Sequence, residues 1–229
     1  EYYEQTGIVR DIIQNHLTQL LTLVAMEYPT DFSENSIRDE KAKILEQIEP
    51  LEPEDIVYGQ YKTGEIDGEK VKGYREEEGV SEESKTPTYG AIKLNISNWR
   101  WEGVPFYLRA GKRLKKRATQ IVINFRNPPV RPFESSGSEL TSNPNKLVIN
   151  IQPEQGFDLH FQVKSPGKSI NLTQEKLQFR YSNVFGPDIH SAYETILLNI
   201  MRGDQTHFVR GDEAEKAWKL YDPILEGNF

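Results

Sequence analysis

Apolar residues recur at helical spacing between Gly7 and Met26, in the string GIVRDIIQNHLTQLLTLVAM. Ile13, Leu17, Leu20 and Val24 mark one face, with Ile12 and Leu23 flanking it, and predict an amphipathic helix. Ile37, Lys41, Ile44, Leu45 and Ile48 predict a second helix that ends before Pro50. The charges Arg38, Asp39, Glu40, Lys41 and Lys43 read as its solvated face. From about Ile56 the period changes to two, and Ile56 to Tyr61 reads as a strand. Thr63 to Ser84 carries no periodic pattern and reads as a loop with the acidic stretch KGYREEEGV.

Alternation then returns in five runs: Ile92-Leu94-Ile96, Ile121-Ile123-Phe125, Leu147-Ile149-Ile151, Leu159-Phe161-Val163 and Leu177-Phe179-Tyr181. Asn124, Asn150, Gln162 and Arg180 occupy the opposite face of these strands. Two helices close the chain, one with the apolar stripe Tyr193, Ile196, Leu197, Ile200 and Met201. The other carries Ala214, Ala217, Trp218 and Tyr221 and ends near Pro223. One-sided strands without long helical crossovers predict antiparallel pairing, and helices at both ends of the strand run define an α+β class. The expected architecture is a large, mostly antiparallel sheet with helices packed on one face, in a single domain spanning residues 1–229.

Composition narrows the function classes. The 229 residues are 36% hydrophobic and 28% charged, ordinary values for a globular protein. A formal net charge of -7 argues against general nucleic-acid binding, which needs a basic surface. No stretch approaches the roughly 20 apolar residues of a membrane span, and no signal peptide opens the chain. With 0 cysteines there are neither disulfides nor thiolate metal sites, which fits a cytoplasmic protein. His16, His160, His190 and His207 lack ligand spacing, so no metal site is expected. No glycine-rich strand-turn-helix fingerprint occurs, so the chain does not supply the usual dinucleotide site. It begins at Glu1 without Met, which suggests a piece of a longer protein cut at a domain boundary.

Two stretches carry candidate chemistry. His16 interrupts the apolar stripe of the first helix beside Asp11, Gln14 and Asn15. At the edge of a core, partial desolvation favours the neutral imidazole and keeps it available as a base. A lone histidine on such a face is more often structural than catalytic. The run RAGKRLKKR, Arg109 to Arg117, is the densest positive charge in an otherwise acidic chain. It reads either as a phosphate site, with Gly111 allowing close backbone approach, or as a solvated turn.

Longer strings favour the catalytic reading of both. YYEQTGIVRDIIQNHLTQLLTLVAMEYP resembles the start of the C-terminal domain of the glucose-6-phosphate dehydrogenase family, where R-D-x-x-Q-N-H-L-x-Q carries a catalytic histidine. SIRDEKAKIL, NWRWEG, VPFYLRAGKRLKKRATQIVINF, LVINIQP and AYETILLNIMRGDQTHFVRGDEAEKAW are similar to further family strings in the same order. The resemblance covers nearly the whole chain. It implies that His16 takes the proton of the sugar C1 hydroxyl and that Asp11 and Gln152 contact sugar hydroxyls. It implies further that Lys112 and Arg117 hold the phosphorylated sugar. The implied activity is oxidation of glucose 6-phosphate to 6-phosphogluconolactone with NADP, as in the oxidative pentose phosphate pathway. The implied assembly is a homodimer or homotetramer through the sheet.

The nucleotide-binding Rossmann domain and an R-I-D-H-Y-L-G-K segment with further phosphate ligands are expected upstream of Glu1, so the chain alone is expected to be inactive. Some members hold a second, structural NADP on the sheet. Arg109 is present here, but Ala118, Val122, Asn150 and Asp158 stand where those members have Lys, Arg, Arg and Tyr, and the tail that completes that site does not follow Phe229. A structural NADP is therefore not expected. Two alternatives stand beside the dehydrogenase reading: a catalytically silent sugar-phosphate-binding module, and an interaction protein whose sheet serves association.

Overall fold

The computed structural model describes residues 2–66, 68–127, 129, 144–167, 172–186 and 192–226. They fall into two compact units, one formed by residues 1–115 and 193–229 and the other by residues 116–192. All strand pairing among the described residues is antiparallel, as the one-sided alternation predicts.

The first unit opens with α1 (Tyr2–Ile8), which breaks at Gly7 with φ 63 and ψ 178. Only glycine takes that conformation without strain, and it lets the Ile8 amide donate to the Pro87 carbonyl at 3.1 Å. The chain continues as a π-helical segment, Val9–Leu17, and then as α2 (Thr18–Ala25). The predicted stripe is thereby rephased. The buried positions are Ile8, Val9, Ile13, Thr18, Leu21, Thr22 and Ala25, while Leu17, Leu20 and Val24 are half-buried and Leu23 is exposed. The physical reason is the five-residue step from Ile13 to Thr18, which matches the wider π turn and not the 3.6-residue α turn.

Helix α3 (Glu34–Gln47) starts at Ser33, whose hydroxyl caps the Ser36 amide. Its expected solvated face is partly wrong, because Arg38 and Lys41 are buried and partnered. After β1 (Ile56–Gly59), the segment read as loop contains a short hairpin, β2 (Gly64–Ile66) with β3 (Glu69–Val71). Strands β4 (Tyr89–Leu94) and β5 (Phe106–Gly111) join β1 in a three-stranded sheet with β4 at its centre. The π segment packs on β5 and on α6 (Gly211–Glu226). Ile8, Ile13, Ile44, Leu45, Ile92, Leu94 and Tyr221 belong to the resulting core.

In α6 the buried positions are Glu213, Ala217, Tyr221 and Ile224, and Trp218 is exposed. Packing of Tyr221 and Ile224 carries this helix past Pro223, where an end was expected. The apolar stripe of α5 (Ala192–Arg202) is largely exposed, and its buried residue among those described is Asn199.

The second unit is a four-stranded meander: β6 (Thr119–Asn124), β7 (Lys146–Gln152), β8 (Gly156–Lys164) and β9 (Leu172–Arg180), followed by α4 (Tyr181–Phe185). The predicted alternation is realised in its register. Ile121 faces Ile149, which faces Phe157, which faces Phe179. Phe157 and Phe179 stack at 5.2 Å between centroids. No helix among the described residues is long and apolar enough to cross a membrane.

Candidate functional site

Asp11 and His16 both lie in the π segment, five residues apart. On an α-helix that spacing turns through about 140° beyond a full revolution and separates the two positions. The wider turn of a π-helix brings them nearer to one face. His16 is exposed, so the expected place at the edge of the core is corrected. Thr18 takes the inward position, donating its hydroxyl proton to the Ile13 carbonyl at 2.8 Å, and the imidazole is left on the open face.

Lys112 sits in the turn after β5. Its amide donates to the Thr88 carbonyl at 2.9 Å, and its ammonium reaches the Asp11 carboxylate at 3.0 Å. A cation from the sheet and a carboxylate from the π segment therefore meet at one point, both partly open to solvent. The lysine also lies over the ring of Tyr3, 4.8 Å from its centroid. Gly111 has a packing role, since a Cβ there would fall 2.9 Å from the Tyr89 ring. Arg113 takes the left-handed region with φ 51, an uncommon conformation for a residue with a side chain. Its guanidinium binds Glu77 and covers the Tyr61 ring at 5.4 Å, which pins the turn from below.

Arg117 and Gln152 belong to the second unit. Arg117 is exposed, two residues before Thr119, and Thr119 is the register partner of Gln152. The end of β7 and the start of β6 thus bring this cation and this amide to the same end of the four-stranded sheet. On the polar face of the same sheet, Asp158 accepts from Arg180 at 3.0 Å and from Asn150 at 3.3 Å. Those donors, Arg180 foremost, hold the Asp158 carboxyl below the usual carboxylate range.

Arg38 and Arg210 in the first unit are already engaged. Arg38 donates to the backbone carbonyls of Gln205 and Phe208, and it lines a cleft of about 460 Å³ together with Asn199, Asp204 and Arg210. Arg210 bridges Asp39 at 2.7 Å and Asp212 at 2.6 Å. None of the candidate site residues lines that cleft.

Tyr3, under Lys112, and Tyr61 and Glu77, which hold Arg113, carry no sequence signal of this role, since they converge from segments far apart.

A family model described as glucose-6-phosphate dehydrogenase, C-terminal domain, matches residues 1–228. Relatives named glucose-6-phosphate 1-dehydrogenase are 47% identical over 228 residues in Aggregatibacter actinomycetemcomitans and 46% identical over 229 residues in Mycolicibacterium smegmatis. Each alignment covers 98% of this chain but 45% and 46% of the relative, so the chain spans about half their length. A solved structure described as glucose-6-phosphate dehydrogenase in complex with its substrate glucose-6-phosphate superposes with a TM-score of 0.87 at 40% identity, over 99% of this chain and 46% of that one. A glucose-6-phosphate 1-dehydrogenase from Mycobacterium avium gives a TM-score of 0.82 at 33% identity, over 100% of this chain and 46% of its own.

Proposed function

Because the chain belongs to the glucose-6-phosphate dehydrogenase C-terminal domain family, we propose that it is the substrate side of an NADP-linked dehydrogenase that oxidises glucose 6-phosphate to 6-phosphogluconolactone. The observation that carries this reading is the meeting of Lys112 with Asp11 on the π segment that also bears His16.

His16 removes the C1 hydroxyl proton while hydride leaves C1, a general-base contribution of about 10²- to 10⁴-fold. An NADP bound by the other half of the enzyme supplies the hydride acceptor. Asp11 and Gln152 hold the ring hydroxyls, a carboxylate as acceptor and an amide as both donor and acceptor. Lys112 and Arg117 hold the phosphate end as point charge and fork. The exposure of His16 suits this role, since a base must reach its substrate.

A structural NADP does not fit the residues present. Asp158 places a carboxylate, already paired with Arg180, on the face in question, and Ala118 and Val122 offer no cation to a phosphate. Phe157 and Leu177, on the apolar face of the sheet, are exposed to 43% and 59%, which supports self-association through this unit as a dimer or tetramer. A cytoplasmic location belongs to the same proposal.

The test is NADPH formation from glucose 6-phosphate by the full-length enzyme, comparing wild type with His16→Asn. Loss of turnover by 10²-fold or more with sugar-phosphate binding retained is expected. Wild type that binds glucose 6-phosphate but turns it over with neither NADP nor NAD leaves the silent binding module instead.

A further inference from the structure

The Lys112 ammonium ends a flexible four-carbon stem with many rotamers, yet two groups bracket it: the Asp11 carboxylate at 3.0 Å and the face of Tyr3. The ring is itself held at two points. Its hydroxyl donates to the Pro87 carbonyl at 3.0 Å, next to Thr88, whose carbonyl accepts from the Lys112 amide. Its edge meets Tyr74, with centroids 6.0 Å apart and planes at 82°. Tyr74 in turn donates its hydroxyl to Glu4 and packs edge-on against Tyr61 at 5.6 Å. Burial raises the pKa of the Tyr3 phenol well above its ordinary value, so the group stays a neutral donor to Pro87.

We propose that Tyr3 is a positioning residue for Lys112, its ring face holding the ammonium where the anionic end of the substrate arrives. The inference rests on the dehydrogenase reading and deepens it. A cation on an aromatic face keeps its charge available on the opposite side, whereas the bond to Asp11 alone would draw the lysine toward the carboxylate. Sugar-phosphate binding needs the lysine to serve a second anion, and the ring offers a support that does not neutralise it. Tyr3 touches no reacting atom, so its effect falls on substrate affinity and leaves the proton-transfer step alone.

The experiment measures steady-state kinetics of the full-length enzyme as wild type, Tyr3→Leu, Tyr3→Phe, Lys112→Ala and the Tyr3→Leu/Lys112→Ala double variant. Tyr3→Leu is expected to raise the KM for glucose 6-phosphate about 2- to 5-fold, with kcat and the KM for NADP unchanged. Tyr3→Phe keeps the ring and stays near wild type. With Lys112 already removed, Tyr3→Leu has no further effect on KM.

Ring-fluorinated phenylalanines at position 3 provide variants of nearly native shape should the leucine variant not fold. As fluorine drains the ring face, KM rises stepwise. An unchanged KM in Tyr3→Leu and in the fluorinated series, or a Tyr3→Leu effect of equal size without Lys112, overturns the inference. If Lys112→Ala raises KM while Tyr3 variants do not, the dehydrogenase reading stands and the positioning role falls. A wild-type enzyme without glucose 6-phosphate oxidation overturns both.

Discussion

At the scale of single residues, Tyr221 shows how a polar group stays buried in this core. It is 0% exposed, and its hydroxyl lies 2.9 Å from that of Thr18. Thr18 gives its own proton to Ile13, so Tyr221 donates and Thr18 accepts. Tyr221→Phe is expected to cost about 1 kcal/mol and to lower Tm by about 2–4 °C at neutral pH. Burial pushes the Tyr221 phenol up to about 12 from a usual 10.0. A raised folded-state pKa contributes stability that is complete below pH 10 and is lost as pH rises towards 12. Melting curves of Tyr221→Phe across that range should fall less steeply than those of wild type. The residue scale is also where the sequence was least complete: the string around His16 identified a candidate base, but its exposure depended on which side chains took the inward positions.

At the scale of elements, helices α2, α3 and α6 are joined by a buried ion pair. The Lys41 ammonium lies 2.7 Å from Glu213, with side chains 9% and 0% exposed, and it also donates to Gln19 at 2.6 Å. The charge of Lys41 reads in the sequence as part of a solvated helix face, because amphipathic patterning treats every charge as outward. Burying either partner alone leaves an uncompensated charge. Lys41→Met is expected to cost about 3–5 kcal/mol by urea unfolding, and Lys41→Met/Glu213→Leu together distinctly less than the sum of the two single changes. The π segment is the other feature hidden from periodicity. Its apolar residues suit an α-helix as well, and only the bonding pattern, shared with packing on β5 and α6, selects the wider turn.

At the scale of the whole molecule, the chain spans about half of its relatives' length and carries the proposed base. By itself it is expected to form no NADPH from glucose 6-phosphate in a preparation free of full-length enzyme. Micromolar NADP is expected to leave its Tm unchanged, since a ligand stabilises only what it binds and the Asp158 carboxylate, paired with Arg180, stands on the polar sheet face. A rise of several degrees with NADP would show that a structural site exists after all.

The amino-acid sequence determined the α+β class, the antiparallel strands and the family, because alternation, turn chemistry and ordered strings are properties of neighbours along the chain. It also named Asp11, His16, Lys112, Arg117 and Gln152 as candidates. Only the tertiary structure decided that Asp11 meets Lys112, that Tyr3 lies under that lysine, and that Arg38 and Lys41 turn inward. Asp11 and Lys112 are 101 positions apart, and the Lys41 and Glu213 partners are farther still. Contacts at such separations are set by how the helices and the three-stranded sheet share one core, and no local pattern of apolar and polar residues encodes that choice.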